Sequence, residues 1–317
     1  KRNKNKTHRN VGPISGGFSI AATWIWAPAL FVATQQAYFN GISGLFWFTV
    51  PNVLCLILFA YFALKLRSNF PEGYTLSEFM TKTYSKRVGI LYIIELSGLA
   101  ICQFAVQILA GGIVINFITG IDFYIVSMSL VFISLAYSLL SGIKASILTD
   151  LLQMILILLL LIIIVPFLII RSGGLETILN GISGINRDHP SLFDFNVFYS
   201  FGIPVTLGLL AGPFGDQSFW QRTFSIKKDK IKQSFYISAL VFMIVPIMTG
   251  ILGFLASGLG LEVSRPDVIG LTLVSNIAPG IFLILFTIIL LSGLISTLDS
   301  ALCSISSIFA TDINQYF

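Results

Sequence analysis

The feature that most limits what this chain can become is the stretch Ile155 to Ile170, which holds no polar side chain and so has no face to turn to water. A helix that is apolar all round belongs inside a large core or in a lipid bilayer. It is one of eight candidate spans, near residues 17–39, 45–66, 88–118, 122–141, 143–170, 196–220, 233–257 and 277–310. Each is long enough to cross a hydrocarbon core about 30 Å thick as a helix. With 56% of the 317 residues hydrophobic and only 10% charged, a water-soluble fold is excluded. Ten-residue segments of alternating polarity, the mark of a transmembrane barrel, are absent. The fold class read from these runs is an all-α polytopic membrane protein.

The few charges sort by side. Residues 1–10, 65–87, Lys144 and 222–232 carry sixteen of the nineteen Lys and Arg, and the alternate connections hold only Arg171, Arg187 and Arg265. The positive-inside rule then places the amino terminus, and after eight crossings Phe317 as well, in the cytoplasm, with the chain in the plasma (inner) membrane. The basic segment Lys1 to Asn10 reads as a solvated cytoplasmic stretch rather than a signal peptide or a nucleic-acid-binding arm, because the apolar run behind it is too long for a signal and lacks a cleavage site. Cys55, Cys102 and Cys303 sit in apolar runs without paired or metal-like spacing and read as free packed thiols. The chain starts without Met and stops just after a span, so it reads as a fragment of a longer protein.

Two spans contain helix breakers. The first reads Phe18-Ser-Ile-Ala-Ala-Thr-Trp-Ile-Trp-Ala-Pro28 and the sixth has Gly202-Ile-Pro204, Gly208 and Ala211-Gly-Pro-Phe-Gly215-Asp216. A proline removes one amide donor and blocks the carbonyl a turn earlier, and unwound backbone at membrane depth is tolerated where it lines a cavity. The two broken spans are five crossings apart, the relation between the first helices of two inverted five-helix repeats. The alternative at each site is an ordinary proline kink.

Span 8 carries Gly293, Ser296, Thr297, Ser300, Ser304 and Ser307 at steps that share one helical face, with Asp299 beside it. Small residues also make packing seams, but an intramembrane carboxylate is costly unless paired, hydrated or next to a cation. Glu95 and Asp216 are the other carboxylates at depth, each a candidate for coupling or for a structural acceptor role; Asp150 stands at the start of span 5. His8 and His189 fall in loops on opposite sides, and no phosphate-cradling Gly-x-x-x-x-Gly-Lys-[Ser/Thr] loop is present, so no enzyme or self-contained ATP-driven pump is indicated.

Three stretches resemble the sodium:solute symporter family, whose fold is the LeuT-like inverted-repeat bundle. Gly293-Leu-Ile-Ser-Thr-Leu-Asp-Ser-Ala-Leu-Cys-Ser-Ile-Ser-Ser-Ile-Phe-Ala-Thr-Asp-Ile313 is similar to the signature in core helix 8. Gly142-Ile-Lys-Ala-Ser-Ile-Leu-Thr-Asp150-Leu-Leu-Gln153 resembles the start of core helix 5, and Asp216-Gln-Ser-Phe-Trp-Gln221-Arg222 the cytoplasmic end of core helix 6. The resemblance implies one transmembrane domain over 1–317, divided as a basic segment 1–16, a first repeat 17–170, an extracellular loop 171–195 and the first three helices of a second repeat at 196–317. Core helices 9 and 10 would lie outside it.

The resemblance further implies a Na⁺ site made of the backbone carbonyls of Ala22, Ile25 and Gly293 and the hydroxyls of Ser296 and Thr297. Some members hold a second sodium with a carboxylate at the Asp150 position; here Asp299 and Ser300 take the matching places on helix 8, and the carboxylate at 299 departs from the serine of those members. The run Ala22-Thr-Trp24-Ile-Trp26-Ala27 looks more like the urea-transporting branch than the sugar or proline branches, with Trp26 as one wall of a solute pocket and Gly212 and Pro213 opposite. The expectation is a secondary transporter coupling inward Na⁺ to uptake of a small polar, urea-like solute across the lipid bilayer. Proton coupling through Asp299 or Glu95, and a sensory membrane domain followed by a signalling domain, are the alternatives.

Overall fold

The computed structural model describes residues 9–140, 143–188 and 191–313; Lys1–His8, His189, Gly142 of the second motif and the terminus at Phe317 lie outside the described residues. Among the described residues the fold is almost wholly helical. The helices are α1 (Pro13–Trp24), α2 (Ala27–Asn69), α3 (Leu76–Thr83), α4 (Lys86–Thr119), α5 (Phe123–Leu140), α6 (Ile143–Arg171), α7 (Leu175–Gly181), α8 (Ile203–Gly215), α9 (Gln217–Ser225), α10 (Ile231–Gly258), α11 (Ile269–Ile277) and α12 (Gly280–Thr311). Six stretches are long and apolar enough to span a membrane, and shorter apolar helices cover Phe123–Ala136 and Pro266–Ile277.

Among the described residues these six do not match the eight expected spans one for one: the second half of the first span and the whole of the second run together in α2, the fourth is the shorter apolar helix, and the sixth stays helical through Gly208 and Pro213 and breaks only at Asp216. The first is split into α1 and the opening of α2, which itself contains two helices that meet at Gly41, whose φ of 58° is the left-handed region only glycine enters freely. The sixth is α8 followed by α9, separated at Asp216 (φ −103°, ψ 107°). Capping explains the crisp starts elsewhere. Thr75 accepts the Glu78 amide at 3.1 Å while Glu78 reaches back to the Tyr74 amide at 3.2 Å, and Ser85 accepts the Val88 amide to open α4. Gly120 (φ 69°) ends α4.

The helices form two groups. In one, α2 packs along α10 and α10 against α1; in the other, α12 packs on α4, α5 and α6, while α1 leans on α6 and α12 to join them. Close approach is set by glycine where it matters most. A Cβ at Gly253 would lie 2.3 Å from the Thr34 carbonyl oxygen, so only glycine lets α10 and α2 meet there, and Thr34 returns a hydrogen bond to the Thr249 carbonyl at 3.0 Å. The outer faces of α4, α5 and α6 expose Ile94, Ile101, Tyr124, Phe132, Leu152 and Ile162, an arrangement suited to hydrocarbon rather than water.

Candidate functional site

The site begins with the backbone. Helix α1 ends at Trp24; Ile25 (φ −82°, ψ 76°) and Trp26 (φ −75°, ψ 173°) leave helical geometry, and a proline in the first turn of α2 supplies no amide. The last carbonyls of a helix lack intrahelical donors, and here the Ile25 amide splits between the carbonyls of Ala21 and Ala22 at 3.1 and 3.2 Å. On the other side of the gap the Ala27 amide is taken by Gln107 Oε1 of α4 at 3.1 Å. The end of α1 is thus closed by its own last carbonyls, and the start of α2 is held by a side chain from another helix.

Helix α12 meets this gap at Gly293. A Cβ there would lie 2.9 Å from Leu30 Cδ1 and 3.2 Å from Ile25 Cγ2, so glycine sets how near the two elements come. One turn on, the Thr297 hydroxyl lies 3.1 Å from the Ile25 carbonyl oxygen and 3.1 Å from the Gly293 carbonyl oxygen. A hydroxyl has one proton, so it satisfies one carbonyl at a time and leaves the cluster with more lone pairs than donors. Three of the five expected sodium ligands are thereby brought together. Ser296, also buried, gives its proton to Asp150 Oδ1 at 2.6 Å, which leaves its oxygen lone pairs unspent; Ala22 lies one turn before Ile25 and accepts its amide.

Beneath this gap is an ion pair. Arg222 of α9 and Asp150 of α6 are both fully buried, with Nη2 2.7 Å from Oδ2. The same Nη2 is 2.7 Å from Ser300 Oγ, Nε is 2.9 Å from Ser19 Oγ, and Nη1 is 3.2 Å from the Ser218 carbonyl oxygen. Ser19 donates to Asp150 Oδ2 at 2.6 Å and Ser300 to the Ser296 carbonyl at 2.9 Å. Asp150 and Ser300, expected around a second ion, therefore share a guanidinium; Asp299 is buried on the same helix. Arg222 reads from sequence as a loop charge, and the reason it is not one is tertiary: α9 runs under α1 and α12.

Helix 6 breaks for a different reason. Asp216 caps α9, accepting the Ser218 amide at 2.8 Å and hydroxyl at 2.5 Å on Oδ1, and Gln103 Nε2 at 2.9 Å on Oδ2. Glu95 of α4 lies near enough to Asp216 for the two charges to interact, and a Cβ at Gly215 would meet its Oε1 at 2.3 Å.

Between the breaks is a cavity of about 270 Å³ lined by Trp24, Trp26, Ala29, Phe48, Asn52, Leu99, Gly208, Leu209 and Gly212. Trp26 and Gly212 line it as expected. Pro213 is buried but does not belong to that lining. The nearest ring to Gly212 is Trp24, 2.9 Å from where its Cβ would be, and Trp24 meets Trp26 edge-on with centroids 6.0 Å apart. Both indole N–H groups are buried without a partner. Asn52 carries no signal in the sequence, while Trp24 and Gly208 stand out there as part of the urea-like run and as a helix breaker but not as pocket walls; only the break puts Trp24 beside Trp26, since residues two apart on an unbroken helix point to different sides.

Two broken helices on either side of a cavity, with an oxygen cluster where α12 meets the first break, fit the inverted-repeat class of membrane bundles. A family model for the sodium:solute symporter family matches residues 7–317, and the chain belongs to that family. It is 22% identical over 76% of its length to the urea-proton symporter DUR3 of Oryza sativa subsp. japonica, covering 36% of that protein. It is 27% identical over 97% of its length to the human high affinity choline transporter 1, covering 55% of it. The Haemophilus influenzae sodium/pantothenate symporter is 25% identical over 70% of the chain, which spans 48% of that protein. The chain thus spans about a third to a half of the length of these relatives. Among solved structures, a Na⁺-coupled sialic acid symporter in a substrate-bound outward-open state superposes with a TM-score of 0.84 at 18% identity, covering 98% of this chain and 68% of that one. The family and these relatives are transporters, not enzymes.

Proposed function

We propose that this chain forms core helices 1 to 8 of a secondary active symporter that couples inward Na⁺ movement to uptake of a small polar solute, urea in the first instance. The observation that carries the reading is the meeting of the Ile25 and Gly293 carbonyl oxygens on the Thr297 hydroxyl, each 3.1 Å away. Hard cations take oxygen ligands, and this cluster offers neutral oxygens with lone pairs to spare. Thr297 turns its proton away when an ion is bound, and Ser296, whose proton already points to Asp150, presents its oxygen without rearrangement. Ala22 contributes the remaining carbonyl of the set.

Ion binding ties α12 to the break in helix 1, and the break also forms the wall of the cavity. Trp26 follows Ile25 directly, so ordering the Ile25 carbonyl fixes the indole that meets the solute. That is the coupling: ion and solute stabilise the same backbone conformation, and each binds better with the other present. The indole N–H groups of Trp24 and Trp26 are unspent donors suited to a carbonyl oxygen, and Asn52, whose Nδ2 is held by the Phe48 carbonyl at 2.7 Å, keeps its Oδ1 for an N–H. Urea has both groups. With the amino terminus cytoplasmic, the membrane potential adds about 2.3 kcal/mol per 100 mV for each net charge entering.

The same orientation makes the Arg9 end the inner gate. Arg9 donates to the Pro71 and Gly73 carbonyls, Val11 pairs with Ser225 and Lys227, and Asp312 accepts from Thr75 at 2.9 Å and Ser77 at 2.6 Å. These contacts close that face, as an outward-facing carrier requires.

A proton-coupled reading rests on Glu95 beside Asp216 at the helix 6 break, and the rice relative is a urea-proton symporter. Uptake of labelled urea into proteoliposomes holding the full-length protein separates the two. An inward Na⁺ gradient accelerates uptake, and Ser296→Ala/Thr297→Ala abolishes the acceleration; acceleration by an inward proton gradient alone, lost in Glu95→Gln, favours the proton reading. Uptake of labelled choline but not urea would keep the carrier and replace its solute.

A further inference from the structure

The structure points beyond the single ion site, and rests on that reading, in one respect: we infer that the Arg222 guanidinium is a resident cation that fills the place of a second ion beside Asp150, so that the protein binds one Na⁺ per polypeptide. Both carboxylate oxygens of Asp150 are already committed to donors. Oδ2 receives Arg222 at 2.7 Å and Ser19 at 2.6 Å, and Oδ1 receives Ser296 at 2.6 Å. Ser300 accepts a hydrogen bond from Arg222 and donates one to the Ser296 carbonyl. The remaining guanidinium contacts, to Ser19 and the Ser218 carbonyl, hold its plane from two further elements, and its side chain has no exposure to water. An arginine cannot be deprotonated in this setting, so its charge stays where an arriving cation would have to go.

The consequence runs on to the ion site itself. A bare Asp150 carboxylate would bring a full negative charge within one hydroxyl of Ser296 and would draw a cation of its own. Paired with Arg222, it contributes no net charge and acts as a positioning group, taking the Ser296 proton so that the serine oxygen faces the gap. Arg222 is thus a positioning residue that acts through Asp150, and it fixes the number of ions rather than ligating one.

Equilibrium binding of ²²Na⁺ to the purified full-length protein in nanodiscs tests this by counting ions. One saturable Na⁺ with a Hill coefficient of 1 is expected for the parent. Arg222→Gln is expected to bind two, and Arg222→Gln/Asp150→Asn to return to one, a restoration that a purely structural role for Arg222 would not produce. Arg222→Lys, which keeps the charge but cannot make the same set of contacts, is expected to bind one with affinity lowered about tenfold. Two ions on the parent would overturn the inference while leaving the sodium reading intact; no ion on the parent would overturn both. A folded Arg222→Gln that still binds one ion would also overturn it, and if that variant does not fold, the parent count decides.

Discussion

Thr297 and Ile25 stand 272 positions apart in sequence, yet the threonine hydroxyl sits 3.1 Å from the isoleucine carbonyl oxygen. That contact joins α12 to the break in helix 1, and it is made by a hydroxyl whose proton can rotate away. Thr297→Val keeps the shape and removes the oxygen. Loss of one ligand is expected to raise the Na⁺ concentration for half-maximal uptake by about tenfold or more, about 1.4 kcal/mol. A Na⁺ titration unchanged in the variant would remove Thr297 from the site.

Gly293 predicts a steric effect with the same readout. An added methyl at 2.9 Å from Leu30 Cδ1 and 3.2 Å from Ile25 Cγ2 makes those two side chains repack against the break. Overpacking of this kind costs about 1–3 kcal/mol. Gly293→Ala is therefore expected to lower Na⁺ affinity, whereas Gly98→Ala, inside α4 with nothing within reach of its Cβ, leaves Na⁺ affinity alone and raises thermal stability slightly.

The cavity gives a prediction for solute alone. Trp26→Phe keeps the ring but removes an indole N–H that has no protein partner. A typical hydrogen bond is worth about 0.5–1.5 kcal/mol net, so KM for the solute is expected to rise by about two- to tenfold, with Na⁺ binding in the absence of solute unchanged. Equal kinetics in the two proteins would show that this donor does not meet the solute.

Asp312 gives the closing contacts a pH dependence. Burial, the larger influence, and the nearby Glu78 hold its pKa above the ordinary carboxylate range, against the lowering effect of the Ser77 and Thr75 hydroxyls. A group whose folded-state pKa is raised contributes stability that is full below the unfolded pKa and is lost as pH rises through the folded one. Asp312→Asn is expected to match the parent in thermal melts at acid pH, to exceed it increasingly as pH rises from the ordinary carboxylate range through that raised value, and to keep a constant lead above it. A difference that does not vary with pH would contradict the assignment.

The helices and their breaks were legible in the sequence because both are local. Apolar length makes a span, and Pro28 and the Gly-Pro-Phe-Gly-Asp stretch ending at Asp216 interrupt the backbone wherever it goes. The hydroxyl face of α12 was legible for the same reason, as a helical period. The pairing of Arg222 with Asp150 was not, because residues near the ends of apolar runs look like interfacial charges and only the path of α9 against α1 and α12 makes them partners. The cavity was half legible. Trp26 and Gly212 line it, but the rotation of α8 brings Gly208 in and leaves Pro213 out, and rotation is set by packing against neighbours that a single helix does not encode.

The most direct test of the account is ²²Na⁺ entry into proteoliposomes containing the full-length protein, measured as urea is added outside. Urea-stimulated Na⁺ entry that disappears in Ser296→Ala/Thr297→Ala is the predicted result. Urea entering with no accompanying Na⁺ would contradict it.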